Sequence, residues 1–208
     1  MNEKYIFIIV LLSICFSSVA IMAQNAMVAY WPMVEGTPDS VVTEVVGGND
    51  GVMVGLDPDS AWIAGDGVRF DNIDGHHIEV RDSLKSVPID FDSCSFTIAL
   101  QVRYIAPPEA DTDRWLIKGT HGSPGTGSRY ELFKTSSGTV RFSIDNGPAN
   151  IKTKLEVPGD AFFTGDWVSV VAVRDTVAGM TLLYANGILQ GTQEETSGNI
   201  ASGEPLWI

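Results

Sequence analysis

Residues 96–104, Phe96-Thr97-Ile98-Ala99-Leu100-Gln101-Val102-Arg103-Tyr104, decide the fold class. In an extended chain Phe96, Ile98, Leu100, Val102 and Tyr104 share one face, while Thr97, Ala99, Gln101 and Arg103 share the other. A period of two with one apolar face is the pattern of a strand half buried in a sheet. Trp167 to Arg174 extends the reading, because both of its faces are nearly apolar until Arg174 and Asp175. It is expected to be a central strand covered on both sides.

Working outward, strands are expected at Val28–Met33, Gly67–Phe70, His77–Val80, Trp115–Lys118, Arg129–Lys134, Val140–Asp145 and Met180–Ala185, each bounded by Gly, Pro, Asn or Asp. Asn186-Gly187 between Thr181–Ala185 and Ile188–Gly191 predicts a two-residue hairpin turn, since both central residues must take positive φ. Ser136-Ser137-Gly138 predicts a second hairpin. No amphipathic helix of three turns is visible. About ten short strands without helical interludes indicate an all-β, antiparallel two-sheet sandwich of the jelly-roll kind.

Composition agrees. The chain has 208 residues, with 44% hydrophobic and 19% charged residues, 21 Gly and 10 Pro. That is enough apolar material for one core and too many turn formers for a helical bundle, a coiled coil or a disordered chain. Lys plus Arg number 13 against 26 Asp plus Glu, a formal charge of −13. So acidic a chain is unsuited to nucleic acid or anionic membranes, which need basic surface to displace counterions.

Residues 1–23 have the form of an export signal: Met1-Asn2-Glu3-Lys4, the apolar run Tyr5 to Cys15, then Ser17, Ser18, Ala20 and Ala23. The run is short for a membrane span of about 20 residues. Cleavage after Ala23 leaves one domain, residues 24–208, secreted or at the cell surface. Cys94 is then the only cysteine, which leaves no intrachain disulfide.

Seven segments stand in order along the chain: Val28-Ala29-Tyr30-Trp31-Pro32-Met33, Gly48-Asn49-Asp50-Gly51, Gly67-Val68-Arg69-Phe70-Asp71, His77-Ile78-Glu79-Val80, Ser95-Phe96-Thr97-Ile98, Trp167 to Asp175, and Leu182-Leu183-Tyr184-Ala185-Asn186-Gly187. Together they resemble the laminin-G-like, concanavalin A-like jelly-roll domains of bacterial secreted proteins. Their order carries the resemblance. Gln101 stands where the pattern usually has Trp, and Asn72 where Gly is usual. Gly203-Glu204-Pro205-Leu206-Trp207-Ile208 reads as the start of a strand that the family would continue. The last strand or strands of the domain are expected to be missing.

The resemblance implies a calcium ion held by oxygen ligands near the domain's start, which here are Glu44, Asn49 and Asp50. Zinc is not expected, because the adjacent His76 and His77 point apart on a strand. The Gly-rich stretch 119–128 lacks the Lys-Ser/Thr ending of a phosphate loop and precedes a strand. It is a loop on a rigid scaffold, which makes Trp115, His121 and Arg129 a candidate sugar-facing group. No catalytic residue is assigned. The sandwich hydrolases carry paired carboxylates on one strand, whereas Asp90 and Asp92 lie in a turn and Asp82-Ser83 forms no nucleophile motif. The expected function is a non-catalytic, lectin-like module that binds carbohydrate or a surface protein, alone or leading a larger enzyme or adhesin. The alternatives are a structural or protein-interaction sandwich without a small ligand, and a glycoside hydrolase or lyase.

Overall fold

The computed structural model describes residues 4–14, 26–34, 39–63, 65–71, 73–81, 89–104, 111–119 and 127–208. Asp82, Ser83 and His121 lie outside these residues. The strands are β1 Lys4–Ile14, β2 Ala26–Trp31, β3 Val41–Val42, β4 Gly51–Val54, β5 Trp62–Ile63, β6 Gly67–Phe70, β7 His77–Val80 and β8 Ser95–Tyr104. They continue with β9 Asp113–Gly119, β10 Arg129–Lys134, β11 Thr139–Asn146, β12 Ile151–Pro158, β13 Val168–Asp175, β14 Met180–Ala185, β15 Ile188–Glu194 and β16 Leu206–Trp207. A single turn of helix, α1, covers Pro58–Ala61. Among the described residues no helix is long and apolar enough to cross a membrane.

Two antiparallel sheets face each other, as the alternation requires. One runs β15-β14-β13-β8-β1-β6-β5, with β2 also paired to β1; the other runs β12-β11-β10-β9-β16-β7-β4-β3. Inward residues of β8 meet inward residues of the opposite sheet: Phe96 lies 5.0 Å from Tyr130 and 6.2 Å, edge-on, from Phe142, and stacks on Phe91 at 4.6 Å. All four rings are buried.

Asn186 (φ 49°) and Gly187 (φ 77°) make the expected hairpin turn. One expectation needs correction. The central strand β13 is flanked by β8 and β14 but buries only alternate residues, so one of its faces is half open. Trp115 and Leu116 are both fully buried beside a register shift between β9 and β10, which interrupts simple alternation. Cys94 is disulfide-bonded in the full chain; the expectation of no intrachain disulfide concerns the chain after removal of residues 1–23.

Residues 195–205 carry the chain from the first sheet to the second without regular structure, so their backbone groups need side-chain partners. Two buried cations provide them. Arg174 of β13 donates to Ser197 Oγ (3.2 Å), the Gly198 carbonyl and Glu195 Oε1 (3.1 Å), and on its other side to the carbonyls of Asp92 (3.1 Å) and Cys94 (3.3 Å). Lys118 of β9 donates to the carbonyls of Ser202 (2.7 Å) and Glu204 (2.5 Å). The strap then delivers β16 between β7 and β9.

Replacing Arg174 by Met leaves Glu195 buried without its ion pair and the strap carbonyls without donors. Breaking a buried pair from one side costs about 3–5 kcal/mol. Urea unfolding at pH 7 should show a loss of this size; a loss below about 1 kcal/mol, the range of exposed ion pairs, would mean the strap is held some other way.

Candidate glycan-facing cleft and the loop expected to hold calcium

Glu44 is buried, at 4% exposure, in the loop that follows β3. Its Oε1 accepts the N–H groups of Tyr30 (2.7 Å) and Val46 (2.7 Å), and its Oε2 those of Gly47 (2.5 Å) and Asn49 (3.0 Å). Asp50 Oδ1 accepts from the Glu44 N–H at 2.9 Å, and the Asn49 carbonyl accepts from the Trp31 indole at 2.9 Å. Both Glu44 oxygens are therefore occupied by donors, whereas calcium needs oxygens with free lone pairs at about 2.3–2.6 Å. Glu44 does not fit the calcium set expected for Glu44, Asn49 and Asp50. It is a clasp that shapes its own loop onto β2. Among the described residues no cluster of three His, Cys, Asp or Glu is arranged to hold a metal.

Burial pushes the Glu44 carboxyl up, but its four backbone N–H bonds outweigh that and hold it below the ordinary value. A depressed folded pKa stabilises the fold above the unfolded pKa, and that stabilisation is lost as pH falls through the folded value. Glu44→Gln should therefore lower stability at pH 7 by about 2 kcal/mol, the scale for unsatisfied buried donors. The gap between variant and parent should close as pH is lowered through the acid range. Urea titrations across that range test it, and a gap independent of pH would refute the clasp.

The sugar-facing group expected at Trp115, His121 and Arg129 does not assemble as such. Trp115 is fully buried, its indole donating to the Tyr104 hydroxyl at 2.8 Å, so it offers no ring to a ligand. Arg129 lies on the outer face, 3.4 Å from Glu131 Oε1 and 3.5 Å from Asp145 Oδ2. Lys152 shares Asp145 at 2.7 Å. These charges neutralise one another.

Among the described residues the exposed large aromatic is Trp207. Register across the second sheet places Val52, Glu79, Trp207, Ile117, Glu131 and Ser143 in one row. Leu206 is buried and Trp207 is 40% exposed, so this row faces outward. The His77 ring lies 4.8 Å from that of Trp207, and its Nδ1–H donates to the Gly75 carbonyl at 2.8 Å. His76 turns to a different partner, Asp71 Oδ1 at 2.9 Å.

Trp207 and His77 form one wall of a cleft of about 390 Å³, within the size range of small-ligand sites. The exposed Asp74 and Arg114 and the buried Tyr104 and Phe70 also line it. Arg114 is 37% exposed in its side chain, with its Nε 3.7 Å from Glu131 Oε2. Burial and the neighbouring Asp113 raise the Tyr104 pKa well above the ordinary tyrosine value, so Tyr104 is a neutral hydroxyl. The cleft thus combines an aromatic face with a carboxylate and a guanidinium. Alternation in Leu206-Trp207-Ile208 was the sequence signal for an outward Trp, but only the pairing of β16 with β7 and β9 shows what it faces.

Residues 74–208 match the laminin G type 3 family model, described as the concanavalin A-like lectin/glucanases superfamily. The chain belongs to this family. Among solved structures, this laminin-G-like chain is similar to the crystal structure of the HCR/D W1238A mutant, with a TM-score of 0.50 and 14% identity over 94% of this chain and 46% of that one. It is also similar to the Ruminococcus gnavus IT-sialidase CBM40 bound to α2,6-sialyllactose, with a TM-score of 0.43 and 21% identity over 54% of this chain and 62% of that one. Domains LG4-5 of the mouse laminin α1 chain give a TM-score of 0.41 at 12% identity, over 99% of this chain and 75% of that one. The chain spans less than two thirds of the length of the CBM40 structures it matches. At these identities the likeness concerns the fold. No curated protein matches the chain.

Proposed function

We propose that this laminin-G-like domain is an exported, non-catalytic binding module that takes a carbohydrate ring against Trp207. The observation that carries the reading is the cleft. A half-exposed indole lies against the His77 ring, and Asp74 and Arg114 in the same lining can meet hydroxyls as acceptor and donor. Sugars present an apolar C–H face and a polar edge, and a ring beside fixed polar groups matches both. The carboxylates weighed for hydrolysis are otherwise engaged: Asp90 Oδ1 accepts the Ser202 N–H at 2.7 Å, and Asp92 Oδ1 accepts the Ser93 N–H. Both serve turns and the strap.

A second reading, docking of a protein partner, is favoured by the apolar end of the second sheet. Val41, Val52 and Val54, with Val45 and Val46 in the following loop, are between 36% and 58% exposed there. Neighbouring exposed apolar residues at a sheet edge are unusual in a chain with no partner.

A glycan array with the full chain, followed by titration of the best ligand, separates the two. Trp207→Ala should weaken binding at least ~10-fold, on the scale of a central aromatic contact, and Arg114→Ala by a smaller factor. A folded chain that binds no glycan, or binds equally well without Trp207, refutes the carbohydrate reading.

A further inference from the structure

The chain's positive charge is gathered in one place. Residues 113–158, which hold β9 to β12, contain seven Lys or Arg against four Asp or Glu, in a chain where acidic residues outnumber basic ones by 26 to 13. Lys118 and Lys134 are fully buried, Lys118 on the strap carbonyls and Lys134 on the Asp111 carbonyl and Asp113 Oδ2 (3.0 Å). The other five stand on the outer face of the second sheet, in rows set by register. Trp207, Ile117, Glu131, Ser143 and Lys154 form one row across β16, β9, β10, β11 and β12. Arg129, Asp145 and Lys152 form the row on one side of it, and Arg114, Phe133, Arg141 and Glu156 the row on the other.

Among the described residues, five cations on this face therefore meet three carboxylates, with at least one cation on each of β9 to β12. Depth adds to the imbalance. The Glu131 and Asp145 side chains are 6% and 4% exposed, deeper than Arg114, Arg129 and Lys152, which approach them to between 2.7 and 3.7 Å. Glu156 is held by Arg141 through Nε (2.8 Å) and Nη2 (2.5 Å), and Lys154 is exposed. Charges beyond a Debye length of about 8 Å are screened at physiological salt, so the acidic remainder of the chain does not cancel this face.

The central row has two distinct ends. At one stands Trp207, and Arg114 belongs both to this face and to the lining of the cleft. At the other, Lys152 and Lys154 line a second cavity of about 530 Å³, together with Asn150, Gln193 and Glu194. Four strand spacings separate Trp207 from Lys154, about 19 Å, more than a single sugar ring covers. Charge density and the lack of apolar surface select the occupant. No large hydrophobic side chain is exposed on β9, β10 or β11, so a protein partner finds no apolar centre to bury there. A nucleic-acid duplex, with one charge per about 1.7 Å of axis, calls for a denser cationic surface. A chain of uronic acids carries one carboxylate per ring, which suits a face with about one cation per strand, and carboxylates are good partners for guanidinium.

We infer that the outer face of β9–β12 binds a polyuronate chain that begins on Trp207 and crosses the strands to the groove at Lys154. This rests on the carbohydrate reading of the Trp207 cleft and adds to it the charge and the length of the glycan.

Titration calorimetry with the full chain tests it. The probes are polygalacturonate and alginate, the same polymers with their carboxyl groups reduced to alcohols, a uronate dimer, and dextran sulfate. At least one polyuronate should bind, and the affinity should fall at least ~10-fold when its carboxyls are reduced or when NaCl is raised from about 50 to about 500 mM. The dimer, too short to reach Lys154, should bind more weakly than the polymer. The double variant Arg141→Gln, Lys154→Gln should lose at least ~10-fold and show a flatter salt dependence, with near-UV circular dichroism reporting that it is folded. Equal binding of the carboxyl-reduced polymer, a preference for dextran sulfate, or polyuronate binding untouched by the double variant each overturns the inference. The carbohydrate reading survives any of these if Trp207→Ala removes the binding that is seen. A folded chain that takes none of these polymers and no neutral glycan overturns both.

Discussion

The ladder along β8 is the constraint on which the structure depends. Its inward residues Phe96, Ile98, Leu100, Val102 and Tyr104 are the longest alternating apolar set in the sandwich, and all are buried. A strand so placed cannot leave either backbone edge bare, because buried peptide groups without partners cost more than the apolar contacts nearby return. β13 satisfies one edge through Val168 to Arg174, and β1 satisfies the other. The rest follows: β14 and β15 extend the sheet beyond β13, while β6, β5 and β2 are attached only through β1. The second sheet contributes the facing half of the core through Tyr130 and Phe142.

The sandwich was legible because its strands are governed by local rules. Alternation placed β8, β6, β7, β10 and β14 within a residue of their observed bounds, and Asn186-Gly187 fixed a turn by its backbone requirements. Where the reading fell short, long-range pairing was responsible. β12, Ile151–Pro158, alternates cleanly, with Thr153, Leu155 and Val157 buried, yet it was not among the expected strands. β3 and β5 are two residues each and exist only because a neighbour lies beside them. No periodicity can announce a strand that short. The apolar run at the start, expected to be an export signal, pairs as the strand β1, Lys4–Ile14, which was not among the expected strands.

The candidate sites show the same division. Glu44, Asn49 and Asp50 were expected as a calcium set, but residue type cannot distinguish a carboxylate that awaits a cation from one saturated by its own backbone. Two N–H donors on each Glu44 oxygen decide that question. Trp115 and Arg129 were likewise good residue types in the wrong setting. A bulge turns Trp115 into the core, and Arg129 is neutralised by Glu131 and Asp145. Trp207 lies on the strand inserted last, between β7 and β9, so its surroundings come from three distant parts of the sequence.

The placing of β16 also links the core to the cleft. Leu206 and Ile208 are buried and Trp207 between them is exposed. One short segment therefore supplies an aromatic ring to the cleft on its outward side and apolar anchors to the core on its inward side. Lys118 and Arg174 hold the strap that delivers it, so the position of Trp207 in the cleft is set by the same buried cations that satisfy the strap's backbone, coupling the integrity of the fold to the shape that a ligand meets.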